Sequence, residues 1–314
     1  MMNIKHSLVI PCYNEEKNVA LFFSAAKTAM EDYTTDYELV FVNDGSIDNT
    51  QRVLRQIYEE HRNMHITVIQ FSRNFGKEAA MYAGLKAANG EYVTIIDADL
   101  QQQPEVAVEM ARILDAHPEY DMVAAFQSER KENKGLGWCK EQFYKVINRV
   151  TEVRFIPDAS DFRTLRRSVV ESILSLSEYH RFSKGLFSWV GYQVHAIPYE
   201  VQKRENGESK WNFSKLLRYA LDGIMAYTDL PLKLPLYVGT FLTGLASVLA
   251  IVLLILELSN CFVGLWWIAC LLLFLGGLIL VGQGLLGSYL GKIHTQVKQR
   301  PIYIAKEILS YEKD

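Results

Sequence analysis

The sequence predicts an α/β domain with a mainly parallel sheet, followed by a two-helix transmembrane hairpin. Three observations carry this expectation. Short apolar runs alternate with helix-spaced segments through the first 130 residues, which is the order of βαβ units. Polar and acidic residues follow several of these runs directly, where open parallel sheets bind their ligands. Two long charge-free stretches, Leu234 to Leu256 and Cys261 to Gly291, stand near the C-terminus.

Ser7 to Cys12 reads as the first strand and stops at Tyr13-Asn14. Asn18 to Met30 has helical spacing. Tyr37 to Val42 is a second strand that ends at Asn43-Asp44-Gly45-Ser46, and Asp48 or Asn49 can cap the helix running to about Glu60. Ile66 to Phe71 is a third strand, and Lys77 to Ala88 a third helix stopped by Asn89-Gly90. Tyr92 to Ile96 is a fourth strand ending at Asp97-Ala98-Asp99. Pro104 opens another helix at a favoured first-turn position, and Asp121 to Phe126 is a fifth strand.

The 23 residues from Leu234 to Leu256 would span roughly 34 Å as a helix, enough for a hydrocarbon core of about 30 Å. Lys233 on one side and Lys292, Lys298 and Arg300 on the other bracket a link that carries Glu257 and no Lys or Arg. Positive charge on both flanks predicts that both termini and the first 230 residues are cytoplasmic. Trp266 and Trp267 fall near the outer end of the second span, as an aromatic belt requires. The N-terminus has no signal-peptide pattern. The resulting division is a catalytic domain over 1–210, a juxtamembrane amphipathic helix over 211–230, spans at about 234–256 and 262–290, and a cytoplasmic tail over 292–314.

Composition agrees with this division. The chain has 314 residues, 49% hydrophobic and 22% charged, with net charge −3. Those values exclude a disordered chain, a collagen-like repeat, a disulfide scaffold and a strongly basic nucleic-acid binder. The mean hydropathy of +0.01 is the average of two unlike parts. Cys12, Cys139, Cys261 and Cys270 form no C-x-x-C pair and read as buried or membrane residues.

Tyr13, Glu15, Asp44, Asp97 and Asp99 should converge on one crevice at the strand ends. Two carboxylates separated by one residue, with Gln101 adding a neutral oxygen, suit Mg²⁺ or Mn²⁺ bridging to phosphate. By themselves they suit a solvated turn equally. No G-x-G-x-x-G follows strand one and no G-x-x-x-x-G-K-[ST] occurs, so the dinucleotide and P-loop readings lose their support. Basic amphipathic segments at Trp138 to Val150 and Trp211 to Tyr227 suit either a membrane surface or packing on the sheet.

Ile10-Pro11-Cys12-Tyr13-Asn14-Glu15-Glu16, Val42-Asn43-Asp44-Gly45-Ser46 and Asp97-Ala98-Asp99-Leu100-Gln101 occur in this order. With Arg73-Asn74-Phe75-Gly76-Lys77, Ser160-Asp161-Phe162-Arg163 and Arg204-Glu205-Asn206-Gly207-Glu208-Ser209-Lys210, the chain resembles glycosyltransferase family 2. The resemblance is to the branch that moves a sugar to a polyprenyl phosphate, and it covers nearly the whole chain. It implies a nucleotide-sugar transferase fold of the glycosyltransferase A type. Pro11, Tyr13, Glu15 and Val42 would border base and ribose, and Asp44 would hydrogen-bond the uracil or guanine. Asp97 and Ala98 would lie against ribose and sugar, and Asp99 and Gln101 would hold the metal on the diphosphate. Arg130 would reach a donor or acceptor phosphate, and Arg204, Ser209 and Lys210 would do the same from a loop. Asp161 would serve the acceptor as base or orienter, or hold Arg163; its bland alternative is to cap a helix over Leu165 to Leu174.

The expected function is inverting transfer of a hexose from a UDP-sugar to undecaprenyl phosphate at the cytoplasmic face of the inner membrane, for cell-envelope glycosylation. N-acetylglucosamine, or mannose from GDP-mannose, is the alternative sugar. A processive polysaccharide synthase is disfavoured, because Lys210-Trp211-Asn212-Phe213 replaces the Q-x-x-R-W motif and only two spans are present. Expected partners are the UDP-sugar, the polyprenyl phosphate, membrane lipid, a flippase, a downstream lipid-linked-sugar transferase and a second copy of the chain, with no nucleic acid.

Overall fold

The central strands β1 (His6–Cys12) and β2 (Tyr37–Asn43) are buried along nearly their whole length. Their side chains alternate between two cores. Leu8, Ile10, Leu39 and Phe41 face α1 (Val19–Glu31), α2 (Thr50–Glu60) and α4 (Pro104–Ala116). Val9, Val40 and Val42 face α3 (Lys77–Ala87) on the opposite side. The computed structural model describes residues 4–127, 159–200 apart from 177 and 180, 266–311, and isolated positions between 237 and 252.

Four parallel strands form the middle of the sheet in the order β3 (His65–Phe71), β2, β1, β4 (Tyr92–Ile95). Beyond β4 come β6 (Ala159–Arg166), β5 (Met122–Gln127) and β7 (Val194–Tyr199). Of these, β6 runs antiparallel to β4 and β5, while β7 is parallel to β5. Helices α5 (Arg167–Ser175) and α6 (Ser183–Trp189) join α3 over the second core. The expected strands and helices of the first 127 residues are all present, with ends shifted by a residue.

Asp161 lies within β6, and the following helix begins only at Arg167. The helix-cap reading is thereby corrected: Leu165 pairs with Val93 as part of the sheet.

The C-terminal segment also differs from expectation. It is not a plain tail but returns to the catalytic domain as β8 (Ala305–Leu309), antiparallel to β3 at the sheet edge. The Arg55 guanidinium donates to both Glu307 oxygens at 2.7 and 2.6 Å, and Tyr303 stacks on Phe71 with ring centroids 4.9 Å apart. Covering β3 removes a row of unpaired edge amides. Before it, α7 (Trp266–Val297) runs for 32 residues. Among the residues whose side chains are described, no helix is long and apolar enough to cross a membrane. Several α7 side chains, most of the first expected span, and both basic amphipathic segments lie outside the described residues.

Candidate active site

The carboxyl ends of β1, β2 and β4 open onto a cavity of about 280 Å³. Its wall brings together Pro11, Tyr13, Glu15, Asp44, Asp97, Ala98 and Asp99, as the sequence predicts. It also includes Asn74, Gly76 and Lys77 from the loop into α3. Val42 does not border the cavity; it is 0% exposed and packs in the core under α3. Arg130, Arg204, Ser209 and Lys210 lie outside the described residues.

The loops around the cavity are tied together by their own polar residues. The Asn14 N–H donates to the Ser46 hydroxyl at 2.9 Å, and the Ile47 N–H donates back to Asn14 Oδ1 at 3.0 Å. The Glu15 N–H donates to Thr50 Oγ1, and the Glu16 N–H to Asp48 Oδ2. Thus Asp48 and its neighbours fasten the loop after β1 to the loop after β2. Asn14 and Leu100 both take positive φ, 56° and 59°. For Leu100 this conformation costs about 1 kcal/mol. The turn it makes lets the Gln101 N–H reach Asp99 Oδ1 at 3.2 Å, while the buried Gln102 side chain accepts the Asp97 N–H at 2.9 Å.

Asp44 has a role that the resemblance does not include. Its carboxylate accepts the Phe75 N–H at 2.6 Å and the Gly76 N–H at 3.2 and 3.0 Å, clamping the loop before α3. Burial raises its carboxyl above the ordinary range, and those amides only partly offset it. A carboxylate has about four acceptor sites, so the clamp leaves capacity for a ligand donor.

Lys77 is the residue that sequence reasoning left without a role. It opens α3, and its Nζ lies 2.7 and 2.9 Å from the two Asp97 oxygens and 3.3 Å from Asp161 Oδ2. One ammonium therefore joins the end of β4 to β6. Burial by itself would lower the Lys77 pKa, but the Asp97 and Asp161 charges outweigh it and raise it. For Asp161, burial opposes ionisation, and Lys77, Lys184 and Arg163 reverse this and hold its carboxyl below the ordinary range. The other Asp161 oxygen, Oδ1, is buried with no hydrogen-bond partner among the described residues. Arg163 stacks its guanidinium over the Phe187 ring at 3.8 Å. Glu78, next to Lys77, accepts both the N–H and the hydroxyl of Ser183. Burial and the nearby Asp161 charge push it up to about 7. The signal for Lys77 in the sequence was its place directly after a loop glycine at the start of a helix.

Asp97, Asp99 and Gln101 supply hard oxygen donors of the kind Mg²⁺ and Mn²⁺ prefer. Among the described residues no three acidic, His or Cys side chains form a metal cage. An ion here would therefore complete its shell with substrate oxygens, which suits Mg²⁺ held by one or two carboxylates.

A doubly covered sheet with acidic residues at its strand ends defines an α/β fold with a ligand crevice. The particular family follows from the whole chain: residues 7–174 match Glycosyl transferase family 2, and the chain belongs to that family. It is a glycosyltransferase. It is 39% identical to the uncharacterized glycosyltransferase sll0501 of Synechocystis, over 99% of this chain and 98% of that one. The putative glycosyltransferase CsbB of Bacillus subtilis is 38% identical over 98% of this chain and 93% of its own. The SfII prophage-derived bactoprenol glucosyl transferase of Shigella flexneri is 36% identical over 97% of this chain and 98% of its own.

Proposed function

We propose that the chain transfers a hexose from a UDP-sugar to undecaprenyl phosphate at the inner face of the cytoplasmic membrane, with inversion. The observation that carries this reading is the meeting of Asp97 and Asp161, from two strands, on the Lys77 ammonium. In this reading Asp97 would serve the donor and Asp161 the acceptor, as a transfer between two bound substrates requires. The lipid acceptor is supported by nearly full-length similarity to chains named bactoprenol glucosyl transferase.

In this reaction a phosphate oxygen of the acceptor attacks the anomeric carbon as the bond from that carbon to the nucleoside diphosphate breaks. The electron pair leaves with the diphosphate. A phosphate monoester has its second pKa near about 6 and is mostly dianionic at neutral pH, so it attacks without a strong base. Asp161 would then orient the acceptor and take any remaining proton. Asp97 lies beside the sugar, and Asp99 with Gln101 would hold Mg²⁺ or Mn²⁺. When bound, that ion neutralises the charge on the leaving diphosphate. Arg130, Arg204, Ser209 and Lys210 are assigned to the phosphates on the resemblance alone.

Membrane residence is part of the same proposal. From Trp266 to Gly291, α7 contains no charged residue; those residues would reach about 39 Å as a helix. Leu272, Ile279 and Leu290 share one face of α7 and are each more than half exposed, which suits lipid. Both termini would lie in the cytoplasm, and export of the product would fall to a separate flippase. The test is transfer of label from a panel of nucleotide sugars into lipid extract, with Mg²⁺, with Mn²⁺ and with chelator. Lipid-linked sugar that forms with one donor and is lost in Asp99→Asn is the expected result. Absence of lipid-linked product from every donor refutes the proposal.

A further inference from the structure

We propose that Lys77 is the acceptor-admitting cation of this site: its ammonium holds Asp97 and Asp161 together and exchanges its long contact with Asp161 for the phosphate monoester. The inference rests on the lipid-phosphate reading above and adds a residue and a division of labour to it.

The argument starts from charge. Asp44, Glu15, Asp97 and Asp99 line the cavity, and Asp161 stands against it through Lys77. A nucleoside diphosphate and a phosphate monoester would each bring further negative charge. A monoester placed beside an ionised Asp161 meets like-charge repulsion unless a cation stands between them. Lys77 occupies that place, 2.7 Å from Asp97 and 3.3 Å from Asp161. An ammonium has three N–H donors, and three carboxylate oxygens face it at 2.7, 2.9 and 3.3 Å, so an incoming phosphate oxygen would take over the longest contact, the one to Asp161. The Lys77 side chain is 43% exposed while that of Asp161 is 18% exposed, and of the two it is Lys77 that lines the cavity.

The position is also fixed. Asp44 clamps the Phe75 and Gly76 amides, and Lys77 begins the helix immediately after them. Base and ribose are expected among the loops at residues 11–15 and 42–46, on elements other than α3. Loss of the ammonium should therefore change acceptor use much more than donor binding, which separates this role from that of a general structural clamp.

The experiment uses the full chain in detergent, with the nucleotide sugar that supports transfer, undecaprenyl phosphate as acceptor, and farnesyl phosphate as a soluble binding probe. Lys77→Gln should raise the acceptor KM and the farnesyl phosphate Kd by about 30-fold, the scale of losing one partner of a close charge pair. Donor KM should stay within about threefold, and Lys77→Arg should fall between wild type and Lys77→Gln. Equal changes in donor and acceptor constants, or an unchanged acceptor KM, would overturn the inference. If Lys77→Gln does not fold, Lys77→Arg decides, because it keeps the charge and moves its centre: a change confined to the acceptor supports the role, and equal changes refute it. A wild-type chain that makes no lipid-linked sugar overturns the underlying reading as well, whereas an active wild type with an unaltered Lys77→Gln overturns this inference alone.

Discussion

Gly45→Ala tests whether the loop that carries Lys77 is held where the site needs it. Gly45 has φ +63°, and a Cβ there would lie 2.6 Å from both the Arg73 carbonyl oxygen and the Asn74 nitrogen, with the Arg73 carbonyl carbon closer still. These are backbone atoms and cannot rotate away. A left-handed alanine costs about 1–2 kcal/mol, and overpacking adds about 1–3 kcal/mol, so a loss of about 2–5 kcal/mol is expected. The loop must yield, and the same loop is clamped by Asp44 through the Phe75 and Gly76 amides. Asp44→Asn should by itself cost about 1–2 kcal/mol. Since both changes loosen one loop, the double variant should lose clearly less than the two losses combined. Transfer activity should fall about 100-fold in Gly45→Ala, the scale of an ångström-sized displacement at a reacting centre. The assay is denaturant unfolding of the full chain in detergent, in parallel with sugar transfer. A Gly45→Ala chain as stable as wild type, or strictly additive losses, would refute the reasoning.

Two further predictions follow from groups outside the cavity wall. Glu78, ordinarily near 4.5, is pushed up to about 7, so between those values the native chain keeps a proton that the unfolded chain has released. Stability should therefore fall as pH rises from 4.5 to 7 and level off above, with a ceiling of about 3 kcal/mol. Glu78→Gln should flatten that slope in melting temperatures taken across the window, and parallel curves for the two proteins would contradict it. Tyr303→Ala removes the ring stacked on Phe71 and edge-on to Tyr82. It should cost about 2 kcal/mol, read as a lower urea midpoint, and an unchanged midpoint would show that β8 docks without this anchor.

Much of the catalytic domain was legible because its signals are local. Continuous apolar runs such as Leu39 to Val42 mark strands buried on both faces, and Pro104 marks the start of α4. Acidic residues directly after such runs located the crevice, since chain direction alone decides where parallel strands end. The unreadable features depend on contacts between distant segments. The alternative reading of Asp161 as a helix cap fails because Asp161 lies within β6, whose following residues Arg163 to Arg166 pair with β4. The short stretch Ala305 to Leu309 has little strand character of its own and becomes β8 through the exposed edge of β3. Lys77 has only a weak local signal, its place after Gly76 at the start of a helix, since its partners appear only when the chain after β4 and the strand β6 bring two carboxylates to it.

The returning strand also bears on how a lipid substrate would meet the crevice. Seven residues, 298–304, join the end of α7 to β8, and β8 is bound to the same sheet whose strand ends form the site. At the end of α7, Gln296 Oε1 accepts the Tyr179 N–H at 2.8 Å. Tyr179 is four residues before Ser183, which bonds Glu78 beside Lys77. The apolar helix is thus attached to the catalytic domain at two points, one on the β3 edge and one near the Asp161 side of the crevice. If α7 lies in the bilayer, as proposed, those attachments set the distance from crevice to membrane. An acceptor phosphate, held at the bilayer surface by its own hydrocarbon, would then need only a crevice at that height and a cation to receive it. The first would come from the tail and the second from Lys77, which explains why a short docked strand and a single lysine belong to the same reaction.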